Sequence, residues 1–213
     1  MLTSKVFSHL DTAPPMCHTP DKPFLRDQAM KKEIPLAQAH RLLSPHPVCL
    51  LTVQYKGRVN VMSIAWVCPV SMEPPLVALA IHPSSYTHDM LKRSEEAVMN
   101  IPGRALAEQV LKCGTLSGES VDKLKVTELA LSPGHHVGAP WIEACLAHIE
   151  CAVVSMVAPG DHTLFCAEVV GAWAEEEAFG DFWLEPEDNE ELHPLHHLGG
   201  RHFGLIGKVI SLP

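Results

Sequence analysis

Two stretches of this chain repeat one pattern: an apolar run, a tight polar turn, and a second apolar run. Residues 48–55, the turn Lys56-Gly57 and residues 58–66 form the first; residues 144–157, the turn Gly160-Asp161 and residues 163–173 form the second. Turns this short leave no room for a crossover, so the flanking strands must be antiparallel. Pro74-Pro75 then introduces a run over 76–81 apolar enough for burial on both faces. A short strand is expected at 98–101, closed by Pro102-Gly103, and a last apolar stretch runs over 203–211 with Gly204 and Gly207 inside it. Helical texture is confined to 88–93 and 105–112, the latter expected to stop at Gly114, after a turn or two over 35–43 that Pro45 ends. Short strands, tight turns and two helical patches predict a mainly β fold with flanking helices, an antiparallel barrel rather than a βαβ sheet. No GxGxxG follows a strand and no GxxxxGK[ST] occurs, so a Rossmann domain and a P-loop are unsupported.

The 213 residues, 46% of them apolar, suit one domain with appended segments. Residues 1–35, rich in Pro, Thr, Ser and charge, read as an N-terminal arm, and 36–213 as the domain. The longest apolar stretches, 75–81 and 151–158, fall short of the roughly 20 residues of a spanning helix, and the N-terminus lacks a signal-peptide apolar region. Seven cysteines without a CxxC pair fit a reducing compartment, so a cytoplasmic protein is expected, with most thiols buried. The net charge of −9 is local. Nine acids and no Lys or Arg lie between Glu175 and Glu191, and the remainder carries 16 acids against 16 bases. Such a body has no attraction for a nucleic-acid backbone. The acidic run reads as a solvated excursion, or less simply as a dock for a basic partner.

Three segments carry chemistry. The first, Asn60 to Ser71, places Asn60 and Ser63 in an otherwise apolar strand and Pro69 where a ladder must end or bulge. Backbone N–H groups freed there suit an acceptor-rich planar ligand, although a strand with two outward polar residues is the plainer reading. The second, Ser84-Ser85-Tyr86-Thr87, offers hydroxyls at a helix entry. These are ordinary N-caps, or a phosphate seat. The third, Cys113 to Lys123, combines Gly114, Ser117 and Gly118 with one lysine, as a surface loop or as an anion-binding loop charged by Lys123. Each is weak alone; together they fit a phosphorylated, planar, acceptor-rich cofactor.

The strings GRVNVMSIAWVCPVSMEPPLVALAI, SSYTHDMLKRS, MNIPG, KCGTLSGESVDKL, APWIEACLAHIEC, GDHTLFCAEVVG and HHLGGRHFG, in that order, resemble the flavin-reductase-like FMN-binding split-barrel family, in its flavoredoxin branch. The resemblance covers roughly residues 40–210. It implies a six-stranded antiparallel split β-barrel, a homodimer, and one FMN per subunit near the dimer interface. It also implies Asn60, Met62, Ser63 and Trp66 in the flavin-side strand, and backbone groups of Pro69, Val70 and Ser71 at the ring. Ser84, Ser85 and Thr87 fall on the phosphate side. Lys123 matches the lysine of an SGxxxDK stretch that includes Ser117 and Gly118, and His162 matches a histidine near the cofactor. The closing segment often carries Tyr where this chain has His202-Phe203, so Phe203 brings no hydroxyl.

The HxxHH spacing at 193–197 lacks a HExxH glutamate or a cysteine pair, so no metal is expected. Cys113 and Cys68 are expected to be buried structural thiols, though Cys113 has neighbours that would suit a low-pKa thiol. The expected function is a flavin-dependent oxidoreductase passing electrons from reduced nicotinamide, NADH or NADPH as a transient substrate, or from a redox partner protein, through FMN to an acceptor. Trp66 is the residue expected to gate the flavin face. Two other classes are a non-catalytic electron carrier and a split-barrel module binding haem or another ligand.

Overall fold

The computed structural model describes residues 30–184, 189–207 and 209–210. The chain divides into two units, Met1–Leu36 and Ala37–Pro213. Of the expected arm, only residues 30–35 are described, and they carry no regular secondary structure.

The strands are β1 (His46–Pro47), β2 (Cys49–Tyr55), β3 (Arg58–Ile64), β4 (Val67–Met72), β5 (Pro75–Ile81), β6 (Glu96–Ile101), β7 (Leu131–Ser132), β8 (Trp141–Ile142), β9 (Ala147–Val157), β10 (Thr163–Ala174), β11 (His196–Gly199) and β12 (His202–Gly204). The helices are α1 (Tyr86–Ser94), α2 (Ala107–Thr115) and α3 (Lys123–Thr127), with a 3-10 helix over Leu36–Leu43. Both expected hairpins are present, as β2–β3 and β9–β10. At the first, Lys56 and Gly57 both take positive φ (50° and 75°). That two-residue geometry matches the right-handed twist of the strands it joins, and Gly57 adopts it without a side-chain penalty.

The main sheet has seven strands in the order β3-β2-β6-β9-β10-β5-β4, every neighbour antiparallel. Its two edges, β3 and β4, are consecutive in the chain, separated only by Ala65 and Trp66. Three Cα steps span at most about 11 Å. The sheet must therefore curl until its edges nearly meet, which makes an open, split barrel. The strand beyond the six expected is β4. Its ladder with β5 slips between Pro69 and Ser71, where Pro69 cannot donate.

β2 is buried on both faces. Cys49, Leu51 and Val53 join Leu79, Phe165 and the α1 residues Met90 and Leu91 in one core. Val48 and Leu50 join Val110, Cys113, Ile142 and Leu195 in the other. Truncating a leucine such as Leu51 would cost about 2–5 kcal/mol. α2 does not stop at Gly114: Thr115 Oγ1 donates back to Leu111 O (2.9 Å) and Leu116 N–H bonds Lys112 O, so the helix runs through the glycine. β12 ends at Gly204, short of the apolar stretch expected to 211; residues 208 and 211–213 lie outside the described residues.

The segment over residues 133–146 lies on the sheet's outer face through buried polar side chains. Thr52 Oγ1 donates to Pro140 O, Ile142 N–H donates to Asn100 Oδ1 (2.9 Å), and Glu150 accepts from His135 N, His136 N and Trp141 Nε1 (each 2.6 Å). Burial alone would raise the Glu150 pKa. The three donors outweigh it and hold the carboxyl below the usual carboxylate range. In the acidic run, Glu175 to Glu177 are exposed as expected. Ala178, however, is fully buried and Phe179 packs edge-on against Trp183.

Of the cysteines described, Cys49, Cys113, Cys145 and Cys151 are buried. Burial pushes the Cys49 and Cys151 thiols up to about 12, Cys113 to about 11, and Cys145 upward as well. Cys113 is thus an inert interior thiol. Cys68, expected to be buried, is exposed, because β4 is an edge strand and Cys68 pairs only with Ala78.

Candidate functional site

The split between β3 and β4 opens onto a cleft of about 430 Å³. Val48, Met62 and Ile64 from β1–β3, Val110 and Leu111 from α2, and Phe203 from β12 give it apolar walls. Rings gather at its mouth. Trp66, 41% exposed, lies 4.8 Å from His162 and 5.6 Å from His40, and His82 meets His162 edge-on at 5.2 Å. His162 Nδ1 bonds Asp161 Oδ1 (2.7 Å), and that contact holds the Asp161 carboxyl below its usual range.

A second cleft of about 190 Å³ shares Met62, Ser63, Ser85, Gly114 and Thr115 with the first, so the two run together. Its chemistry is different. Ser84, Ser85 and Thr87 line it from the start of α1, Ser117 and Gly118 from the loop after α2, and Lys123 from α3. Ser85 stands at the N-cap of α1, yet its hydroxyl does not cap the helix, so the first-turn N–H groups do not have it as an acceptor. Thr87 Oγ1 accepts from Asn60 Nδ2 (2.7 Å), which leaves the buried hydroxyl its own hydrogen to donate. Lys123 is 5% exposed, and burial lowers its pKa. Its Nζ donates to Cys113 O (2.7 Å), and among the described residues it has no carboxylate within salt-bridge distance.

The structure thus brings Met62, Ser63, Trp66, Ser84, Ser85, Thr87, Ser117, Gly118, Lys123, His162 and Phe203 onto one continuous double cleft. Asn60 stands behind it, lining a third cleft of about 290 Å³ that also touches Gly118 and Lys123. Pro69, Val70 and Ser71 are not brought to any of these clefts: β4 continues the sheet past the split and leaves Pro69 and Val70 exposed on its edge. Ser63 Oγ is committed to Val110 O, so toward a ligand it can only accept. Sequence reasoning missed His82, whose Nδ1 bonds Ser84 Oγ (2.7 Å), and His197 in the ring cleft. It also missed Arg58, two residues before Asn60 and so on the same strand face; the two-residue period of β3 is the signal that would have paired them.

An antiparallel barrel open at one seam, with a ring-lined cleft running into a hydroxyl-lined one at that seam, is the flavin-binding split-barrel class of fold. A family model described as flavin reductase like domain matches residues 41–210, and the chain belongs to that family. Flavoredoxin from Methanosarcina acetivorans superposes with a TM-score of 0.74 at 25% identity, covering 86% of this chain and 95% of its own. The FMN-binding domain of a flavin reductases-like enzyme from Shewanella baltica superposes at 0.72 and 27%, covering 84% and 96%. The Escherichia coli protein YddH is 33% identical over 183 residues, 84% of this chain and 96% of its own length. The chain therefore has a general role in flavin-mediated redox chemistry.

Proposed function

We propose that the double cleft holds FMN, and that the protein is an oxidoreductase passing electrons from reduced nicotinamide or a protein donor through that flavin to an acceptor. The observation that carries the reading is Lys123. A buried ammonium with no carboxylate partner among the described residues, on a cleft lined by hydroxyls, is what a phosphate requires. The adjoining apolar cleft suits a flat ring system. Bound there, the flavin supplies the electron chemistry, while the protein sets its position and surroundings.

The chain's residues divide the work. Lys123 neutralises phosphate charge and Thr87 donates to it. Ser63 offers only an acceptor toward the ring side, and Trp66 with His162 stands at the open mouth, where a nicotinamide must approach since the described residues form no dinucleotide fold. The unpaired thiols support a cytoplasmic setting. No described helix is long and apolar enough to cross a membrane. Exposed Val154, Met156, Val157 and Val170 on β9 and β10 support a homodimer; light scattering at low micromolar concentration tests it, and a monomer mass rejects it.

The deciding experiment is chromatography of the cofactor released on denaturation, followed by anaerobic addition of NADH and of NADPH to the holoprotein. Release of FMN and bleaching of its visible absorbance are expected. Absence of flavin rejects the cofactor. FMN that stays oxidised with either nucleotide, yet is reduced by a protein donor, replaces the enzyme with an electron carrier.

A further inference from the structure

The phosphate end of the double cleft is closed by a wall built from two residues of β3. Arg58 and Asn60 are two positions apart, so they share a strand face, and each ties down a different side of the cleft. Arg58 Nη2 donates to Gly118 O (2.8 Å) while its guanidinium lies over the Tyr86 ring, 4.8 Å from the centroid. It therefore clamps the loop after α2 to the start of α1. Asn60 donates to Thr87 in α1, and its carboxamide oxygen sits where a side chain on Gly118 would have to be. Behind these two residues lies the third cleft, of about 290 Å³, lined by Arg58, Asn60 and Val121. Lys123 and Gly118 touch both sides. The space beyond the phosphate seat is therefore available in volume and shut off by side chains.

We infer that Arg58 and Asn60 determine specificity: they make the seat accept a terminal phosphate monoester and exclude a flavin dinucleotide, whose second phosphate and adenosine would have to pass through the wall. A monoester needs only a closed pocket with a cation and hydroxyl donors. A diester with a nucleoside beyond it needs a way out, and β3 occupies that way out. The inference rests on the FMN reading of the double cleft and goes further in naming what sets the choice of flavin.

Flavin fluorescence titrations of the apoprotein with FMN, FAD and riboflavin test it, on wild type, Asn60→Ala and Arg58→Ala, with circular dichroism and thermal melts to confirm the fold. Wild type should favour FMN over FAD by tenfold or more. Both variants should shrink that ratio at least fivefold, with riboflavin affinity within twofold of wild type. Equal affinity of wild type for FMN and FAD overturns the wall and leaves the phosphate seat standing, and this arm holds even if both variants fail to fold. An unchanged FMN to FAD ratio in folded variants overturns the wall as well. No saturable binding of any flavin rejects the cofactor reading and the wall with it. Full selectivity restored by Arg58→Lys would show that charge alone acts, and would reject the planar clamp on Gly118 and Tyr86.

Discussion

This fold buries two charged side chains, Glu150 and Lys123, and treats them differently. On the outer face, Glu150 is fully buried and accepts three hydrogen bonds from the 133–146 segment. In the double cleft, Lys123 is nearly as buried, donates one hydrogen bond of 2.7 Å to a carbonyl, and keeps two donors in hand. A buried charge with its partners in place is part of the architecture. One with donors to spare is waiting for a ligand, because desolvation has been accepted without full compensation. The pKa directions follow the same logic, with Glu150 held charged by its donors and Lys123 pushed toward neutrality by burial.

If that contrast is right, removing Glu150 should damage stability and spare the cleft. Glu150→Ala removes the acceptor from three part-buried N–H donors and should cost about 3 kcal/mol in chemical denaturation. FMN affinity of the folded fraction should stay within twofold. Glu150→Gln should cost only about 1 kcal/mol, since its oxygen can keep two donors while its amide faces the third. A large loss of FMN affinity in either variant would erase the distinction between the two buried charges.

Acid sharpens the same comparison. Burial lowers the His148 pKa to about 4, and its Nδ1 lies 2.9 Å from Asn100 Oδ1 in the same outer-face network. Its folded pKa is below the unfolded value of about 6.5, so the unfolded state binds the proton first. The stability this residue contributes is present above pH 6.5 and is lost as pH falls toward 4. The loss should amount to about 3 kcal/mol. Glu150, with its own pKa depressed, adds a further loss at lower pH, as the solution passes from its unfolded value to its folded one. Melts from pH 7 to about pH 3 measure both, and His148→Gln should flatten the first part of the curve.

At the cleft the prediction reverses. Lys123→Met should leave stability within about 1 kcal/mol, since a desolvated ammonium is exchanged for an apolar chain. It should weaken FMN binding by about 1.5–3 kcal/mol, the range for a hydrogen bond to a charged group, or roughly tenfold to a hundredfold. Riboflavin, without the phosphate, should bind unchanged. Equal losses for both would mean that Lys123 serves the fold or the ring. The smallest effect is alkaline. FMN affinity should begin to fall below the ordinary lysine range of about 10.4 as Lys123 deprotonates, by less than tenfold, while riboflavin provides the control for ionisation of the ring itself.

Much of this was legible in the chain because local chemistry and final structure agree. Lys56-Gly57 and Gly160-Asp161 announce their hairpins through turn residues. The 84–87 and 113–123 segments announce hydroxyls, small residues and a lysine with no local use. What stayed hidden is what tertiary packing decides. β4 was concealed by Pro69, and it survives because it is an edge strand with a bulge. α3 has five residues, too few for a helical period to show. Gly114 looked like a stop until Thr115 and Leu116 were seen to close the next turn. The sequence places Asn60 in the flavin-side strand but does not show the bond its amide makes to Thr87. No spacing rule states which of two neighbours a strand residue will choose.

The four interior thiols have a consequence for a protein whose proposed work is moving electrons. Oxidants attack the thiolate rather than the thiol, and burial keeps Cys49, Cys113, Cys145 and Cys151 protonated throughout the physiological range. Reduced flavin that meets oxygen at the open mouth would generate peroxide within a short diffusion path of Cys113, whose neighbour Gly114 lines both halves of the cleft. At these four positions the fold answers that exposure with neutrality, because a buried, protonated thiol is a poor target for peroxide.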